Sequence, residues 1–64
     1  MNELFEKAAG FPVEEFDLFQ LALYVNAGDE EDTLYLIDEM AEGYPDFEAA
    51  CAGFTVVWDY LTKI

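Results

Sequence analysis

Apolar residues recur along this chain at helical intervals, and glycines cut the pattern into four stretches. Gly10, Gly28 and Gly43 each follow a helix-compatible run, where a helix commonly ends on a left-handed residue. Pro12 and Pro45 fall near the start of the next stretch, where a missing N–H is tolerated. The pattern predicts helices over roughly 2–9, 12–27, 30–42 and 45–63.

The first stretch is short, with Asn2 as its expected cap and Leu4, Phe5 and Ala8 facing inward. A helix of that length is unstable alone in water, so it must dock, with Phe5 as its anchor. The second stretch crowds Glu14, Glu15 and Asp17 into its first turn, where the helix dipole favours negative charge. From Leu18 onward it is apolar nearly all round apart from Gln20, which predicts a helix buried on most sides. The third opens on Asp29-Glu30-Glu31-Asp32, with Asp29 as N-cap and Asp32 three residues on, close to a capping box. Leu34, Ile37 and Ala41 form its expected inner stripe, with Leu36 and Met40 beside it; Glu31, Asp38, Glu39 and Glu42 take the other side.

The fourth stretch has the clearest period, Phe47, Cys51, Phe54, Trp58 and Leu61, flanked by Ala50 and Val57. Gly53 inside it costs about 1 kcal/mol relative to Ala, so it marks either a close approach or a break. Ala49, Ala52, Val56 and Tyr60 form a second stripe, read either as a second buried side of a central helix or as a homodimer seam. The fold class is all-α, a compact bundle of three to four short helices in a single domain over residues 1–64. The alternative is α+β, with a small hairpin pairing 21–25 with 54–58, since Thr55, Val56 and Val57 are β-branched.

Composition changes this picture in one respect. Fifteen Asp and Glu stand against two lysines in 64 residues, a formal net charge of −13, in a chain that is 55% hydrophobic. Disordered acidic tails lack such an apolar load, so the expectation is an aromatic core wrapped in carboxylates. Self-repulsion of that charge opposes compaction. Surfaces charged for solubility alone usually intersperse both signs. The longest apolar run is far short of the ~20 residues of a membrane span, and phosphates repel the chain, so neither membrane nor direct nucleic-acid binding is expected. With Cys51 as its sole cysteine and no leader-like pattern after Met1, the chain reads as cytoplasmic.

The catalytic inventory is nearly empty. The chain has no histidine, serine or arginine, which removes Ser–His–Asp and Cys–His catalysis. Zinc sites of Cys and His fail with only Cys51 present, and no glycine-rich phosphate loop occurs. The chain resembles acyl carrier proteins in size and acidity, but those carry their cofactor on a serine. An EF-hand beginning at Asp29 would need glycine at its sixth position and glutamate at its twelfth; this chain has Leu34 and Met40. Cys51, on the apolar stripe without a neighbouring cation, reads as a small buried hydrophobe. No enzyme activity, cofactor or metal is expected.

What remains is an acidic surface on helices. Acids at i and i+4 lie about 5–6 Å apart, and duplex DNA carries one charge per roughly 1.7 Å of axis. Thirteen net charges therefore match about 22 Å of duplex. In length, charge and lack of catalytic residues, the whole chain resembles the small acidic phage-encoded inhibitors that mimic DNA, especially those of anti-CRISPR type. The resemblance involves no specific motif. It implies an inhibitor that blocks a nucleic-acid-binding site of a CRISPR effector complex, in the host bacterial cytoplasm, as a monomer or homodimer. The alternative is an acidic immunity or antitoxin-like protein that neutralises a basic partner. The surface expected to meet the partner comprises Glu14, Glu15, Asp17, Asp29, Glu30, Glu31, Asp32, Asp38, Glu39, Glu42, Asp46 and Glu48.

Overall fold

Each of the four apolar stretches forms a helix in the computed structural model, which describes residues 1–63. In chain order they are α1 (Asn2–Ala9), α2 (Glu15–Ala27), α3 (Glu30–Ala41) and α4 (Phe47–Lys63). The all-α expectation holds, and there is no strand among the described residues. The two segments considered for a hairpin lie inside α2 and α4. Thr55 fits the helix because its hydroxyl donates to the Cys51 carbonyl, 2.7 Å away.

Helix α4 is the hub: α1, α2 and α3 all pack on it, α1 most extensively. Its buried face is Ala50, Gly53, Phe54 and Val57, at intervals of three and four. The expected stripe was therefore misphased: Phe47 is exposed, while Cys51, Trp58 and Leu61 line one half-buried edge. The second stripe is not buried either. Ala52, Val56 and Tyr60 are exposed and Ala49 is half-buried.

Gly53 has a packing reason. A Cβ there would stand 2.7 Å from Cδ2 and Cε2 of Phe5, so the missing side chain is the space into which α1 inserts its ring. Phe5 is wholly buried and its ring meets those of Phe54, Tyr44 and Phe11 at centroid distances of 4.7, 5.7 and 5.9 Å. These lie in the favourable range for tilted and edge-on aromatic pairs. Phe5 is thus the anchor that the short first helix requires. Its other details differ from expectation: Ala8 is exposed, Ala9 is half-buried, and Met1 rather than Asn2 occupies the cap position, without a side-chain bond.

Two of the three punctuating glycines behave as predicted. Gly10 and Gly28 end α1 and α2 at φ 87° and 82°, the left-handed region where glycine avoids a Cβ clash. Gly43 does not. Helix α3 tightens instead at its end, with the N–H groups of Gly43 and Tyr44 bonding the carbonyls of Met40 and Ala41 at 3.1 Å. Helix α2 starts three residues later than Pro12, after an extended Glu14 at φ −73°, ψ 130°.

Helix α3 buries Thr33, Leu36, Ile37, Met40 and Ala41. Leu34, expected inside, is exposed and Thr33 takes its place. The substitution is inexpensive because the Thr33 hydroxyl donates to the Asp29 carbonyl at 2.7 Å, leaving its methyl to the core.

The largest departure is α2. Only Leu18 and Leu21 are buried, with Val25 half-buried beside them. Phe16, Phe19 and Leu23 remain 66%, 60% and 53% exposed. Successive residues turn by about 100° around a helix, so these three fall on the side opposite Leu18, Leu21 and Val25. The helix is apolar on two opposite faces, and the bundle covers one of them.

Candidate functional site

The helices set the acids on the outside of a molecule 28 × 21 × 17 Å along its principal axes. All fifteen carboxylates are exposed except that of Asp17, which is half-buried. The twelve candidate residues fall on three helices and their caps, and they divide by what each touches.

Three of them hold the fold. The Asp29 side chain accepts from the Asp32 N–H at 3.0 Å and the Asp46 side chain from the Ala49 N–H at 3.1 Å, each satisfying a donor at a helix start. Asp17 accepts from the Tyr44 hydroxyl at 2.7 Å, and that hydroxyl in turn accepts from the Glu14 N–H at 3.0 Å. Tyr44 thereby ties the α3–α4 connection to the start of α2. Burial, reinforced by the bond to Asp17, pushes the Tyr44 phenol up to about 12.

The others project into solvent in groups. Glu14 and Glu15 stand at the start of α2, and Glu30, Glu31 and Asp32 fill the first turn of α3. Asp38, Glu39 and Glu42 cluster at the other end of α3, where Glu39 accepts from the Tyr35 hydroxyl at 3.2 Å. The negative charge of Glu39, then the hydrogen bond to it, raises the Tyr35 pKa.

Two helices converge at Cys51. Its Sγ lies 4.0 Å from Oδ1 of Asp38. Burial raises the thiol pKa first, and the negative charges of Asp38 and Glu48 raise it further. Cys51 is half-buried rather than fully buried, and these shifts hold it as a thiol, so it is no activated nucleophile at neutral pH. Asp38 and Glu48 thus belong to one patch spanning α3 and α4, which spacing along the chain does not reveal.

A shallow cleft between the end of α2, the start of α3 and α4 is bordered by Asp29, Glu30 and Asp59 around Thr33, Thr55 and Trp58. Asp59 was outside the predicted surface; it pairs with Lys63 at 3.0 Å, with both side chains solvated, so the pair contributes little stability. Among the described residues, no three His, Cys, Asp or Glu side chains are grouped to hold a metal ion, and no helix is long and apolar enough to cross a membrane.

The outer face of α2 is the surface that the sequence reading assigned to the core. Along one flank of this face a groove runs between α2 and the end of α4: Phe19, Ala22, Leu23, Val25 and Asn26 line one side of it, reaching from the outer face to the half-buried Val25, with Leu61 and Thr62 of α4 on the other. A signal for it was available: the residues from Leu18 to Gly28 contain no charge, and helical spacing splits their apolar members into two opposite stripes. In comparisons with protein families, curated proteins and solved structures, nothing matches the chain.

Proposed function

We propose that this protein is a non-enzymatic inhibitor of anti-CRISPR type. It occupies a nucleic-acid-binding site of a host defence complex by presenting carboxylates where phosphates would lie. The supporting observation is the exposure of nearly all fifteen carboxylates on four packed helices within a 28 Å length. A duplex of that length carries about 16 charges at one per roughly 1.7 Å. The net charge of −13 approaches that value, displayed on helices already held in place by the core.

A groove lined with Lys and Arg would attract this surface from a distance, so association is fast and weakens steeply with salt. Fluorescence anisotropy of labelled duplex DNA on guide-loaded CRISPR effector complexes tests the reading. DNA binding should fall as the protein is added and recover with excess duplex. Undiminished DNA binding across a panel of such complexes would count against it.

The outer face of α2 favours a second reading, an immunity or antitoxin-like protein that neutralises a basic partner. Exposed apolar side chains have no counterpart on a phosphate backbone. Displacement separates the two: duplex DNA should release the partner of a mimic and leave the partner of an antitoxin bound.

A further inference from the structure

We infer that the outer face of α2 is a docking groove for a cationic amphipathic helix of a partner protein, apolar along one side with Lys or Arg at both ends. The inference rests on the proposed function for the cationic character of the partner and adds the contact that charge alone does not supply.

The groove follows the later part of α2, from Phe19 to Asn26, about 12 Å at 1.5 Å per residue. Phe19 and Leu23 form one wall and Leu61 the other, with no charged side chain in the lining. Phe16 extends the apolar face toward the start of α2. Acids flank the face along the chain: Glu14 and Glu15 precede it, and beyond Gly28 Asp29 and Glu30 border the neighbouring cleft, which shares Val25 and Thr62 with the groove. An apolar centre with a polar, charged rim is the usual anatomy of a protein–protein contact.

The charge at the two ends selects the occupant. Phe16, Phe19 and Leu23 offer roughly 300 Å² of apolar surface, against the roughly 800 Å² per partner of a stable interface. The remainder must come from the rim. A second copy laid antiparallel would set Glu14 and Glu15 against Asp29–Asp32 of its twin. A parallel copy would set each acidic cluster against itself. Both arrangements bring like charges together at both ends. A helix with cations at its ends meets the apolar centre and the flanking acids with their complements, in the helix-in-groove mode.

Two labelled synthetic peptides of equal length and equal lysine content, with lysines at both ends, test this by fluorescence anisotropy. One has a helical centre bearing Leu and Phe, the other a centre of Ala and Gln. The apolar-centred peptide should bind at least tenfold more tightly. The double variant Phe19→Gln, Leu23→Gln should abolish that difference and keep the weaker, salt-sensitive binding of the other peptide. Both side chains are more than half exposed, and circular dichroism should find the variant fully helical. Equal affinity of the two peptides for the unaltered protein, which needs no variant, overturns the inference. A peptide with the same apolar centre and serine ends that binds as tightly overturns the role of the cations. Light scattering that finds a dimer, dispersed by the double variant, makes a second copy the occupant and also overturns it. Failure of the charge-based reading is distinct: the Ala- and Gln-centred peptide would not bind even at low salt.

Discussion

Replacing Gly53 with Ala sets two known effects against each other. Alanine in place of glycine within a helix gains about 1 kcal/mol. The new Cβ, however, would stand 2.7 Å from two atoms of the Phe5 ring and 3.1 Å from a third. Carbon atoms in contact sit about 3.5–4.0 Å apart, so the ring must retreat by roughly 1 Å. It cannot do so freely, because Phe5 is fully buried and enclosed by Phe11, Tyr44 and Phe54. Overpacking of this kind costs about 1–3 kcal/mol, at the upper end when the neighbours are rigid. The clash outweighs the propensity gain, and Gly53→Ala should lose about 1–2 kcal/mol net. In a chain this short that lowers Tm by roughly 4–15 °C. Thermal and urea unfolding followed by circular dichroism would measure it. The same substitution in a Phe5→Leu background should cost less, with coupling of at least about 0.5 kcal/mol. A Gly53→Ala protein as stable as the parent would refute the close approach of α1 to α4.

Four other outcomes are expected. Asp29→Ala and Asp46→Ala should each lose about 1 kcal/mol, since each removes the acceptor that caps a helix; urea midpoints check this. The Tyr44 phenol, near 10 when unfolded, sits at about 12 in the fold, so the folded state holds its proton longer. Its contribution to stability is fully present below pH 10 and declines as pH rises toward 12, a decline that Tyr44→Phe should remove from alkaline unfolding curves. Stability should rise with added salt, because the Debye length shrinks from about 30 Å at 10 mM to about 8 Å at physiological strength, well inside the 28 Å molecule; a flat Tm would contradict strong self-repulsion. Glu42→Gln should stabilise the protein by about 0.5–1.5 kcal/mol, by removing an acid from the negative end of α3 and an i,i+4 repulsion with Asp38; an unchanged Tm would argue against it.

The four helices and two of their glycine stops were legible in the sequence because period and left-handed capping are local properties. Phase was less legible. In α3 the inner stripe moved from Leu34 to Thr33, a shift of about 100° around the helix. Hydrophobicity favours Leu34, and only the back-bond from the Thr33 hydroxyl to Asp29 makes the polar residue acceptable inside. In α2 the error had a different source. Apolar content on all sides predicts burial on most sides, but a chain of this size has too little material to cover both faces. The acidic surface was legible as exposure and illegible as grouping. Asp38 and Glu48 meet around Cys51 only because α3 packs on α4.

The fold accounts for some of the charge and not for the rest. Acids stabilise the positive end of a helix and cations the negative end. Helix α1 has Glu3 in its first turn and Lys7 in its last, and α4 has Glu48 and Lys63. Glu6 shares its turn with Lys7, and Asp59 is paired with Lys63. The acids of α2 all lie at its beginning. Helix α3 alone breaks the rule. Glu30, Glu31 and Asp32 suit its first turn, but Asp38, Glu39 and Glu42 crowd its last turn and cap with no basic residue among them. Those three acids oppose the dipole and repel one another, and through Asp38 they adjoin Glu48 across Cys51. Acids that help a helix start would be present whatever the protein does. Acids kept where they weaken the helix need another reason. The patch of Asp38, Glu39, Glu42 and Glu48 is therefore charge that the fold does not account for, and a place to map a charged partner in addition to the acids at the ends of α2.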